Sequence, residues 1–77
     1  IEILDEQSII LDTSTILRPD KIIIKNMETI IIDFKTGIPN QKDIKQVSLY
    51  KSTLESMGYK NVSSYLYYSS LNEFRIV

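Results

Sequence analysis

At 77 residues the chain can form at most one small domain, near the size at which a single core is only marginally stable. Its 43% apolar and 25% charged residues are ordinary for a globular protein, and a net charge of −1 argues neither for nor against nucleic acid. Without cysteine there are no disulfides and no thiolate zinc site, and without histidine the commonest general base and metal ligand is missing.

A reducing compartment is the simple reading of the cysteine count. No apolar run approaches the roughly 18 residues a membrane-spanning helix needs. Ile1-Glu2-Ile3-Leu4 lacks the basic flank of a signal peptide. A start at Ile rather than Met leads us to expect a processed chain or a piece of a longer protein. Lys21, Lys25, Lys42, Lys45, Lys51 and Lys60 are dispersed among acids, so they predict no basic face for a phosphate backbone.

Ile1–Leu11 reads as one extended segment with a break near Asp5-Glu6-Gln7, and Asp12-Thr13-Ser14 supplies turn chemistry. Ile16–Ile24 predicts a strand, Lys25-Asn26-Met27-Glu28 a turn, and Thr29–Lys35 a second strand. Thr36-Gly37-Ile38-Pro39 breaks the pattern. Asn40 can then cap a helix over Gln41–Met57, with Asp43 in its first turn and Gly58 as its stop. Ile44, Val47, Tyr50, Leu54 and Met57 form its apolar stripe, with Gln46 at the edge. Ser63–Tyr68 and Glu73–Val77 predict two final strands. The Ile runs of the middle strands do not alternate with polar residues, which predicts a sheet covered on both faces. One helix covers one face only. The other is expected to need an upstream helix, a partner, or a second copy in a homodimer.

Pairing the middle strands symmetrically about Asn26-Met27 sets Lys25 against Glu28 and carries the ladder out to Asp20 against Asp33. Cross-strand neighbours on one face lie roughly 4.5–5.5 Å apart at Cβ, where like charges repel unless a cation lies between them. Lys35 then projects beside Asp33, with Arg18 opposite. An odd-length loop would put the acids on opposite faces. In the symmetric register, Asp20, Asp33 and the Phe34 carbonyl form a hard-oxygen set suited to Mg²⁺ or Mn²⁺. Such an ion polarises a phosphoryl oxygen and acidifies a bound water. Lys35 is placed to orient or activate that water or to stabilise charge on the phosphate. The alternative is a rim salt bridge among Asp33, Lys35, Arg18 and Asp20.

Arg18-Pro19-Asp20-Lys21, then Asp33-Phe34-Lys35-Thr36-Gly37, then Gln46-x-x-x-Tyr50 in the following helix resembles the PD-(D/E)XK nuclease superfamily. Within it the pattern is most similar to the RecB-like branch, a domain at the C-terminus of ATP-dependent helicase–nucleases. Asp5-Glu6 before Ile9-Ile10-Leu11 looks like that branch's acidic strand, and Gly58-Tyr59 and Tyr65-Leu66-Tyr67-Tyr68 look like its post-helix turn and last core strand.

The resemblance implies an α/β (α+β) restriction-endonuclease-like core: a mixed, mostly antiparallel sheet with one main helix, lacking its N-terminal helix. Residues 1–77 would be the C-terminal part of the nuclease domain. Asp20 and Asp33 would bind metal, with help from the Phe34 carbonyl and Glu6, and Lys35 would be the catalytic lysine. Gln46 and Tyr50 would position DNA, and Arg18 would pair with a carboxylate or the DNA backbone. The implied activity is a Mg²⁺- or Mn²⁺-dependent exonuclease for DNA repair and recombination in the bacterial cytoplasm. ATP would act only through upstream helicase domains outside this chain. The branch usually brings a histidine from an upstream helix, and this chain has neither, so the piece alone is expected to be short of a full site. The other reading is an inactive nuclease-like module that guides DNA or serves as structure.

Overall fold

A computed structural model describes Glu2–Asp5, Ile9–Ile10, Ile16–Leu17 and residues 19–77. Strand β1 (Glu2–Asp5) opens the chain, and the short β2 (Ile9–Ile10) and β3 (Ile16–Leu17) pair with each other in a separate two-stranded sheet. The expected turn over residues 12–14 lies outside the described residues. The main sheet has the order β1, β4 (Lys21–Lys25), β5 (Glu28–Lys35), β6 (Val62–Tyr68), β7 (Glu73–Ile76). All neighbours are antiparallel except β5 and β6. With one main helix, α1 (Gln41–Ser56), between the parallel strands, this is the mixed, mostly antiparallel α+β architecture expected.

The break expected near Asp5-Glu6-Gln7 agrees with the end of β1 at Asp5, and β1 and β2 lie in different sheets. Ile16–Ile24 needs correction because it is not one strand: β3 stops at Leu17 and β4 begins at Lys21. Pro19, fully buried between them, has no N–H to give a ladder and its fixed φ bends the chain away.

The β4–β5 hairpin has the symmetric register. Lys25 faces Glu28, Ile24 faces Thr29, and the ladder runs to Lys21 against Ile32. Asn26 permits the two-residue connection by taking φ 55°, a left-handed conformation that asparagine tolerates better than most side chains.

Helix α1 starts and ends for local reasons. The Asn40 side chain accepts the Asp43 N–H at 3.0 Å, satisfying one of the first-turn donors. At the other end Gly58 takes φ 97°. Its N–H bonds the Glu55 carbonyl, and the Tyr59 N–H bonds that of Leu54, the paired closure of a Schellman motif. Tyr59 packs on the core, supplying the apolar contact that accompanies this turn. The buried helical residues are Val47, Tyr50, Thr53 and Leu54, with Ile44 partly buried. Met57 departs from the expected stripe. As the C-terminal cap it lies past the last helical turn and is 55% exposed.

The helix covers the sheet face that carries Ile22, Ile31, Val62, Leu66 and Tyr68. Strands β5 and β6 both alternate in burial, so only one face is closed over the described residues. On the other, Ile30, Ile32, Tyr65 and Tyr67 are half-buried while Phe34 and Phe74 are exposed. The Tyr67 ring lies 6.0 Å from Phe34 and 4.6 Å from Phe74. The apolar runs therefore predicted more cover than the described residues provide. No helix among the described residues is long and apolar enough to cross a membrane.

Candidate functional site

The site forms where the regular ladder ends. One position beyond Lys21 and Ile32, the Asp20 N–H donates to Asp33 Oδ1 at 3.2 Å, and the Phe34 N–H donates to Asp20 Oδ2 at 2.8 Å. The bend after Pro19 replaces main-chain pairing by side-chain-to-main-chain bonds, which aims both carboxylates at the same rim. Asp33 is only 3% exposed because it points to the helix side of the sheet. Phe34, one residue on, points to the other side.

Lys35 joins this pair to the helix. Its ammonium lies 3.0 Å from Asp33 Oδ2 and donates to Gln46 Oε1 at 2.7 Å. Charge-assisted bonds of this kind are stronger than neutral ones. Asp20, Asp33 and Lys35 thus lie together as the hairpin register predicted, and Gln46, which only the resemblance placed here, joins them through Lys35. Tyr50 is buried on the same helix and contributes electrostatically to Lys35. Arg18 and Glu6 lie outside the described residues.

Protonation follows from these contacts. Burial pushes the Asp33 carboxyl up, the Lys35 ion pair pulls it down, and the neighbouring Asp20 carboxylate pushes it up again. The net result is above the ordinary aspartate value. Partial burial opposes the Lys35 charge, but the Asp33 ion pair, supported by Asp43 and Tyr50, outweighs it and holds the amine above the ordinary lysine value. Lys35 is therefore an ammonium at neutral pH. It suits charge stabilisation and orientation, and it does not suit proton abstraction.

Two participants were not read from the sequence as site residues. The phenol of Tyr68, fully buried at the end of β6, donates to Asp43 Oδ2 at 3.0 Å. Burial and this contact with Asp43 both raise the Tyr68 pKa. Asp43 was read only as a helix-start acid. The available signal was its position three residues before Gln46, which places both on one helical face.

A hard divalent cation fits the oxygen donors present. Two carboxylates converge with their charges incompletely compensated, and Mg²⁺ characteristically takes one or two carboxylates while keeping several waters. Among the described residues no group of three or more acidic, histidine or cysteine side chains gathers as a closed metal cage. The protein's share of such a site would be the Asp20 and Asp33 carboxylates, which the Asp20 and Phe34 N–H groups hold together. No family model, curated protein or solved structure gives a significant match to the chain.

Proposed function

We propose that the chain is a metal-dependent nuclease module that hydrolyses phosphodiester bonds in DNA. The observation that supports this most is the convergence of Asp20 and Asp33 at one rim, with Lys35 held against Asp33 at 3.0 Å and against Gln46 at 2.7 Å. Asp20, Asp33 and the Phe34 carbonyl would hold Mg²⁺ or Mn²⁺, which when bound polarises a phosphoryl oxygen and acidifies a water. Lys35 sets a fixed positive charge beside the acids, where negative charge grows on the phosphate oxygens during in-line attack. Gln46 orients that ammonium, and Asp33 keeps it charged. The finer reading, an exonuclease domain working with upstream helicase domains of a bacterial DNA-repair protein, rests on the sequence resemblance. A DNA affinity drawn mainly from other domains agrees with a net charge of −1.

A second reading has its own observation. Both Asp33 oxygens, one Asp20 oxygen and the Lys35 ammonium are engaged within the protein, as in a closed rim salt-bridge network. That describes an inactive nuclease-like module that guides DNA or serves as structure. Incubation of linear DNA with Mg²⁺ or Mn²⁺ separates the two. The nuclease reading expects metal-dependent degradation that Asp20→Ala and Lys35→Ala each abolish. Degradation unchanged in both variants refutes the assignment.

A further inference from the structure

Two neighbouring strand residues reach the same turn of helix α1. Lys35 of β5 and Tyr68 of β6 are register partners across the parallel pair. Lys35 bonds Gln46 and Tyr68 bonds Asp43, and these two lie three residues apart on one helical face. Asp43 is held at both ends. Its N–H bonds the Asn40 side chain, and its carboxylate accepts the phenol. Below them, the Ser69 N–H donates to the Lys35 carbonyl at 2.9 Å and ties the strand ends together. A phenol with no exposure is costly to bury unless its hydroxyl is bonded, and Asp43 provides that bond.

We propose that Tyr68 and Asp43 are positioning residues for Lys35. The phenol pins Asp43, and with it the first turn of α1, at the height where Gln46 meets the ammonium. Lys35 is faced by Asp33 on its own strand and by Asp43 and Tyr50 on α1, with Asp20 beyond Asp33 and Tyr68 beside it on β6. The catalytic consequence rests on the nuclease reading, while the geometric claim does not.

Tyr68→Phe and Asp43→Ala in the full chain remove the bond between them from either end, and the first keeps the ring packing. Side-chain NMR of the Lys35 ammonium and the Gln46 amide reads both variants. In Tyr68→Phe we expect faster ammonium exchange with water and a shifted Gln46 amide. In Asp43→Ala we expect the same two changes, because the phenol then loses its acceptor. Cleavage should drop about tenfold in Tyr68→Phe, as for other residues that orient an active group. Unchanged Lys35 and Gln46 signals in either variant overturn the proposal. A chain joined to the upstream segment the resemblance implies that still leaves DNA intact with metal present refutes the nuclease reading, and the NMR result still decides the positioning claim.

Discussion

Asp33→Asn should separate stability from activity. Breaking a buried ion pair by removing one partner ordinarily costs about 3–5 kcal/mol, because the other charge is left buried and unpaired. Here the partner is not trapped: the Lys35 side chain is 25% exposed and retains Gln46. The lost charge-assisted bond is worth about 1.5–3 kcal/mol. Against it stands relief of a desolvated carboxylate beside Asp20, a cost of comparable size, and burial is the largest influence on Asp33. The two offset to within about 1 kcal/mol. For a chain of this size that is a melting shift under roughly 8 °C, while metal-dependent cleavage should disappear. The pH dependence has a definite sign. A folded-state pKa above the unfolded value gives stability that is complete below the unfolded pKa and lost as pH rises through the folded one. Asp33 therefore makes the protein less stable with rising pH from about 3.8 upward through its raised pKa. Asp33→Asn should flatten that segment of the curve. Melting by circular dichroism across this range, with cleavage assays alongside, checks both parts. Loss of the fold would show Asp33 to be structural, and undiminished cleavage would falsify its catalytic role.

Three further outcomes are expected. Mg²⁺ or Mn²⁺ at ten times its dissociation constant should stabilise the protein by about 1.4 kcal/mol, or roughly 6–11 °C; identical melting in chelator and in excess metal counts against the carboxylate site. Gln46→Ala should leave melting nearly unchanged, since its bond to Lys35 is exposed, yet slow cleavage about tenfold; cleavage at the original rate would remove Gln46 from the site. Gly58→Ala should cost about 1–2 kcal/mol by denaturant titration through its φ of 97° alone, because a Cβ there meets no atom within 4 Å; a neutral result would show that the turn can relax.

The hairpin was readable because its two-residue turn set the pairing, and one even count from Lys25 and Glu28 brought Asp20 to Asp33. The helix was readable because Asn40 and Gly58 each use a strong local rule. The break at Pro19 was missed because the apolar run from Ile16 outweighed a proline that has no N–H to give a ladder. The role of Tyr68 was hidden for a different reason. Its match with Lys35 depends on the parallel register of β5 and β6, set by the crossover through α1 and by packing across it, which no short spacing encodes. Asp43 was visible only as a cap neighbour until that register brought the phenol to it.

Charge balance then connects the fold to the chemistry. Asp33 is ion-paired with Lys35, Asp43 acts on it from α1, and Asp20 adjoins Asp33, so three acids share one ammonium at a partly buried rim. The protein partly answers this by keeping Lys35 protonated and raising the pKa of Asp33, as a proton on Asp33 would lower the excess charge. A dication held by Asp20 and Asp33 would remove the excess more completely, because it acts on both carboxylates at once and displaces that proton. Proton and metal therefore compete for the same oxygens, and metal binding should weaken as pH falls into the range where Asp33 protonates. Asp43 has structural uses of its own, in the first turn of α1 and as acceptor of the buried Tyr68 phenol, so the surplus acid alone does not choose between the readings, and the pH dependence of metal binding does.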